Sequence, residues 1–168
     1  MWNFGLNSIG VMSETGPTDL IPIPPNYSVV SLLEIQNQNV DVVRVLKRRG
    51  SNPFSSSPDQ SGVELIIKTG LVDIGITRTK NSRSFPLLGK VIGFRWSGGR
   101  LARRLNNDAE LNYMLCKCLG EPSNVRIVIL PEPIQGYLAI VVPHTPPTRE
   151  LWNCYDKIAH HIREEIES

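Results

Sequence analysis

A chain of 168 residues with 40% hydrophobic residues, 20% charged residues and a formal net charge of +2 is long enough to bury a core without metal or disulfide help, and this is not the composition of a disordered chain. No apolar run approaches the roughly 18 residues that cross a bilayer, and no basic leader followed by an apolar stretch opens the chain, so neither a membrane span nor a secretory signal is expected. Three cysteines, Cys116, Cys118 and Cys154, are too few and odd in number for a disulfide framework, which makes a reducing, cytoplasmic location the expectation.

Charge is divided unevenly along the chain. Residues 1–43 hold four acids and no base, residues 44–104 hold 13 Lys/Arg against 3 Asp/Glu, and residues 105–168 hold 5 bases against 9 acids, so the three stretches carry −4, +10 and −4. Such a chain can offer a basic face to a polyanion. It can equally pair its own acidic and basic parts, and folding interleaves distant segments, which makes internal pairing the simpler expectation.

Residues 1–26 read as an irregular N-terminal arm, because glycines, prolines and polar residues interrupt each apolar run. The prolines of "IPIPPNY" lack the amide hydrogen that a central strand needs. Trp2, Phe4 and Leu6 alternate as a short edge strand would, and with Ile9 they can anchor the arm. Residues 27–168 read as one α+β domain. "YSVVSLLEI" predicts a strand and "QNQN" a turn. "VDVVRVLKRRG" is assigned to a strand through its β-branched valines, although its basic end followed by glycine also suits a helix terminus. "SNPFSSSPDQSG" is a long polar loop. "VELIIKTGLVDIGIT" predicts two short strands around "KTG", "RTKNSRSF" a basic loop, and "KVIGFRW" a further strand.

"GRLARRLNNDAELNYMLCKCLG" predicts one long helix. Leu101, Leu105, Asp108, Leu111, Leu115 and Cys118 fall near one stripe, flanked by Met114 and Leu119, with Asp108 the polar exception. Gly120 and Pro122 mark its end. "NVRIVILPEPIQGYLAIVVPH" predicts two strands around a proline-containing loop. The last helix carries Leu151, Tyr155, Ile158, Ile162 and Ile166 on its buried stripe, widened by Trp152 and Ala159, with Thr148 as N-cap. The expected fold is α+β, an antiparallel or mixed sheet of about five to seven short strands packed against two helices.

The stretch "RWSGGRLARR" places two glycines and three arginines where a strand becomes a helix. A helix start leaves backbone N–H groups unpaired, and glycines allow close approach to them, so Ser97, Gly98, Gly99, Arg100, Arg103 and Arg104 form a candidate phosphate-type anion site. Positive side chains at a helix start oppose its dipole by about 0.3–1 kcal/mol each when exposed. A bound oxyanion would offset this, and so would Asp108 or acids elsewhere in the fold. Two glycines also suffice for a plain strand-to-helix turn, and arginine stems commonly cover apolar helix surface. Neither the GxxxxGK[ST] phosphate loop nor the GxGxxG fingerprint is present.

Lys47, Arg48 and Arg49, then Arg78, Lys80 and Arg83, then Lys90 and Arg95 could extend the site into a basic surface, with Trp96 and Phe85 as aromatics able to stack on bases. Nucleic acid or a phosphorylated molecule is therefore the first expected partner. A homodimer or other assembly using the charge division is the second. An enzyme acting on a phosphorylated small molecule is the third, with His144, Glu132 and Asp73 as the acid–base candidates and a cysteine with His144 as a nucleophilic pair. Cys116 and Cys118 point apart on a helix, and His160 and His161 pair with Glu164 and Glu165 four residues on, which supports an exposed helix face better than a metal site. No metal and no cofactor are expected.

Overall fold

A computed structural model describes residues 2–18, 21–48, 61–83, 91–119 and 126–168. Along the chain they form α1 (Trp2–Ser8), β1 (Ser13–Thr15), β2 (Tyr27–Ile35), β3 (Val42–Arg48), β4 (Ser61–Lys68), β5 (Thr77–Arg83), β6 (Val91–Ser97), α2 (Arg100–Asn107), α3 (Ala109–Leu119), β7 (Val128–Glu132), β8 (Tyr137–Val142) and α4 (Arg149–Glu167). The strands make one sheet in the order β1-β2-β3-β4-β8-β7-β5-β6, and each neighbouring pair is antiparallel. The α+β class and the antiparallel sheet agree with the sequence. The counts do not, because eight strands and four α-helices are present among the described residues.

Each extra element has a local cause. Residues 2–8 are helical, not an edge strand, because Trp2 and Leu6 lie one helical turn apart and are both buried, while Phe4 between them is exposed. The arm also contributes β1, which pairs with Leu33–Ile35 of β2. The expected strand at residues 71–77 is a connection up to Ile76, where Asp73 Oδ1 accepts the Gly75 N–H at 2.8 Å. The basic stretch read as a loop is instead β5, whose Thr77 and Thr79 are buried while Arg78 and Lys80 face out. That alternation carries no apolar side chain, so hydrophobic periodicity missed it. Of the polar loop read at residues 51–62, residues 51–60 lie outside the described residues, while Ser61 and Gly62 already belong to β4 and pair with Lys47 and Leu46.

The predicted single helix is two. Asp108 ends α2, its N–H donating to Leu105 O at 3.3 Å, and starts α3, its Oδ1 accepting the Leu111 N–H at 2.9 Å. The polar exception on the stripe is thus an N-cap. Asn112 closes the joint, its Nδ2 donating to Leu105 O at 2.8 Å and Asp108 O at 2.9 Å. The last helix starts as expected, with Thr148 Oγ1 accepting the Leu151 N–H at 3.3 Å.

Helices cover one face of the sheet. Leu101 and Leu105 of α2, Leu111 and Leu115 of α3, and Trp152, Tyr155, Ile158 and Ile162 of α4 pack on Val43, Leu65, Trp96, Ile129 and Ile140. Burial of each such aliphatic side chain contributes about 1.5–3 kcal/mol. The central strands β4 and β8 are buried on both faces, which is why they read as nearly continuous apolar runs. On the opposite face Ile21 of the arm packs with Leu32, Val42, Ile66, Tyr137 and Ala139. Beside them Arg44, 1% exposed, donates from Nε and Nη2 to Glu64 Oε2 at 2.9 and 2.6 Å, from Nη1 to Pro22 O at 2.7 Å, and from Nη2 to Tyr137 Oη at 3.1 Å. The Tyr137 ring lies 5.5 Å from the same guanidinium. No helix among the described residues is long and apolar enough to cross a membrane.

Candidate anion site

The strand-to-helix junction is locked before any side chain reaches solvent. Asn106 of α2 reaches back to β6, accepting the Trp96 N–H at 2.8 Å and donating to Trp96 O at 2.9 Å. The Trp96 ring is 2% exposed and its Nε1 donates to Asn112 Oδ1 at 2.9 Å. It is therefore core and not a platform for a base, and Phe85 lies outside the described residues.

Both glycines of the junction serve close packing of the chain on itself. Gly98 has φ +132°, and a Cβ there would collide with Ile76 O and sit 2.9 Å from Thr77 Cα. A Cβ on Gly99 would sit 2.8 Å from Ile74 O. Gly99 is the N-cap and has no side-chain cap, while Ser97 gives its hydroxyl to Arg78 O at 3.3 Å, so Ser97 does not cap α2. Of the six candidate residues, Arg100, Arg103 and Arg104 converge on one groove of about 830 Å³, which they share with Asp108, His161 and Glu165.

The question raised by three arginines at a helix start has a long-range answer. Arg104 donates from Nε to Glu165 Oε2 at 3.2 Å and from Nη1 to Glu164 Oε2 at 3.1 Å. Arg100 Nε lies 3.0 Å from Glu165 Oε1. The acids belong to the last turn of α4, where negative charge opposes that helix's dipole as Arg100 and Arg103, in the first turn of α2, oppose theirs; because α2 ends at Asn107, Arg104 falls in its last turn, where positive charge suits the dipole. Each unfavourable helix end neutralises the other. The compensating acid foreseen close by, Asp108, instead binds α4 from the other side, with Lys157 Nζ at 3.1 Å from its Oδ2 and His161 Nε2 at 2.8 Å. Burial raises the Asp108 pKa, but the hydrogen bonds from His161, the Leu111 N–H and Lys157 outweigh it and hold the carboxyl at about 2.

The arginines differ in what is left over. Arg104 is engaged at both of the nitrogens named above. Arg100 is 77% exposed and only its Nε has a described partner. Arg103 is exposed and has no partner among the described residues. His161 Nδ1 is buried, 3.4 Å from Glu164 Oε2 and without an aligned hydrogen bond. Chemically the groove can hold an oxyanion against Arg100 and Arg103, in competition with Glu164 and Glu165.

The wider basic surface does not come together as one patch. Lys47 and Arg48 end β3, while Arg78, Lys80 and Arg95 lie on β5 and β6. Four strand spacings separate β3 from β5, about 19 Å. Arg49 and Lys90 lie outside the described residues, and of Arg83 only the strand position is described. Sequence reasoning passed over Arg126, which is exposed just before β7.

The acid–base candidates are scattered. Glu132 pairs with Tyr137 at the start of β8, and His144 follows the strand's other end, roughly 23 Å away at strand rise. Asp73 turns the connection before β5. Cys118 and Cys154 are neighbours across the α3–α4 contact; burial, then the neighbouring thiol, pushes Cys154 up to about 12, and burial raises Cys118. Thiols held neutral in this way are poor nucleophiles near neutral pH. His160 pairs with Glu164 at 3.4 Å as foreseen, whereas His161 turns to Asp108. No group of three or more potential metal ligands is present among the described residues. Comparison with known protein families, with characterised proteins and with solved structures finds no match to this chain.

Proposed function

We propose that this protein is a phosphate-anion-binding module, for nucleic acid or another phosphorylated molecule, and that the anion meets it in the groove beside α2. The observation that carries this reading is the state of Arg103 and Arg100, two arginines of the first turn of α2 that line one groove, one without a partner among the described residues and one 77% exposed. Guanidinium groups pair with phosphate oxygens through two parallel charged hydrogen bonds, and the uncapped N-terminal turn of α2 adds its dipole. Glu164 and Glu165 set the strength of the site by occupying the inner arginine. The test is fluorescence-anisotropy titration of a labelled oligonucleotide, and ³¹P NMR titration of inorganic pyrophosphate, with wild type and the Arg100→Gln/Arg103→Gln variant. Binding by wild type that weakens at least tenfold in the variant is expected. Equal binding by the two folded proteins overturns the groove as the site.

A second reading, assembly into a homodimer, is favoured by one edge of the sheet. β1 pairs only with Leu33–Ile35, so Tyr27–Val30 of β2 have no strand beyond them among the described residues, and Val30 is 60% exposed. Two copies could extend the sheet there. Sedimentation velocity of wild type and Val30→Lys would show a dimer that the variant loses, whereas a monomer at all concentrations rules this reading out. The enzyme reading has no constellation among the described residues to favour it.

A further inference from the structure

On the face of the sheet turned away from the helices, β5, β6 and the residue pair before β7 present four cations. Lys80 of β5 stands directly opposite Arg95 of β6, and Arg78, two residues earlier, opposite Ser97. On the other side Arg78 pairs with Val128, and the Thr79 N–H donates to Ile127 O at 3.0 Å. The same register brings Arg126 beside Lys80. Ile127, Thr79, Trp96 and Phe94 are buried on the helix side, so alternation turns Arg126, Lys80, Arg95 and Arg78 outward, and all four are exposed. None has a carboxylate partner among the described residues. Like charges directly opposite each other on a sheet destabilise it, so the fold alone gives no reason for this arrangement.

We infer that this face docks the phosphate backbone of duplex nucleic acid, a ligand class that rests on the phosphate-binding reading while using different residues. Three in-register cations span about 10 Å across the strands, and Arg78 extends the patch by about 7 Å along one of them. A duplex presents one phosphate per roughly 1.7 Å of axis, so a 10 Å stretch offers about six phosphates to four cations. Among the described residues the four side chains stand exposed on a sheet face, a broad arrangement that suits an extended polyanion better than a small phosphorylated ligand. Single strands are bound largely by stacking on aromatics, and the aromatics of β6 point inward. Contacts confined to phosphates would make binding independent of base sequence.

Anisotropy with a labelled 20-base-pair duplex of mixed sequence, across a salt series, tests the proposal. Four phosphate contacts predict a slope of about −3 to −4 in log affinity against log salt, and a loss of about 100-fold between 50 and 200 mM. The variant Arg78→Gln/Lys80→Gln/Arg95→Gln/Arg126→Gln should bind the duplex at least tenfold more weakly with a shallower slope, while keeping the wild-type affinity for inorganic pyrophosphate, which reads the groove separately. Thermal melting checks that the fourfold variant folds, and removing like-charge repulsion should leave it as stable as wild type or more so. Loss of binding in the groove variant alone assigns the anion to the groove and overturns the sheet face. Loss in neither variant overturns both. Tighter binding to a single strand, or to vesicles of anionic lipid with no binding to the duplex, overturns the choice of ligand.

Discussion

Arg104 and Glu165 lie 61 positions apart in the chain and meet across the α2–α4 contact, Nε to Oε2 at 3.2 Å, with the carboxylate only 6% exposed. The same carboxylate holds Arg100 through its other oxygen. One buried acid therefore neutralises two of the three arginines of α2 and ties the final helix to the groove beside it.

Glu165→Gln keeps the shape of the side chain and removes its charge. Stability should fall by about 1–3 kcal/mol, since two guanidinium groups lose a charged hydrogen-bond partner. The groove should bind pyrophosphate more tightly, because the competing internal anion is gone. Denaturant melts and ³¹P NMR read the two effects separately, and unchanged anion affinity would place the anion away from Arg100 and Arg104.

Asp108 gives the fold an acid-sensitive element. Its carboxyl binds a proton less readily folded, at about 2, than at its ordinary value of 3.8. The ionised group therefore stabilises the fold above about pH 4, by at most about 2 kcal/mol, and that contribution is lost as pH falls toward 2. Asn is as good an N-cap as Asp, so Asp108→Asn should keep α3 capped while flattening stability between pH 4 and 2. A stability profile with the same slope in both proteins would mean that Lys157 and His161 contribute nothing through this carboxylate.

Gly98 and Gly10 both have positive φ, +132° and +80°, but a Cβ at Gly10 meets nothing within 4 Å while one at Gly98 meets Ile76 O and Thr77. Gly10→Ala should cost about 1–2 kcal/mol from backbone conformation alone. Gly98→Ala should cost at least about 2 kcal/mol more, because the connection before β5 must shift. Equal denaturant midpoints for the two variants would show that the close approach of β5 and the junction is not needed.

Arg44 and Glu64 test whether the buried pair on the outer face stabilises or only specifies the fold. Glu64→Leu leaves the guanidinium buried with Pro22 O and Tyr137 alone and should cost about 3–5 kcal/mol. Arg44→Met with Glu64→Leu should recover most of that loss. A double variant as unstable as the single one would mean that the contacts to Pro22 and Tyr137 hold the arm to the sheet.

What could be read from the chain by itself follows from short-range physics. β2, β4 and β8 were legible from their runs rich in apolar and β-branched residues, the N-cap at Thr148 from its hydroxyl before a helical stripe, and the buried stripes of α3 and α4 from their spacing, because each signal spans only a few residues. α1, β5 and the α2–α3 break carried weaker or contrary local signals: a short segment with mixed period, a strand whose buried side is threonine, and an N-cap that resembled a polar gap. Only the tertiary structure decided which charges are compensated. Glu165 and Arg100 oppose their own helix dipoles and look unfavourable separately, and nothing local says that they meet. Likewise Arg44 sinks into the outer layer, Lys47 is carried four strands away from Lys80, and Arg126 is added to Lys80 and Arg95. Coulomb interactions depend on distance in space, and sheet order sets that distance, so the basic middle of the chain divides into a groove where Arg100 and Arg104 meet Glu165 and a sheet face whose cations have no carboxylate partner among the described residues only once the strands have paired.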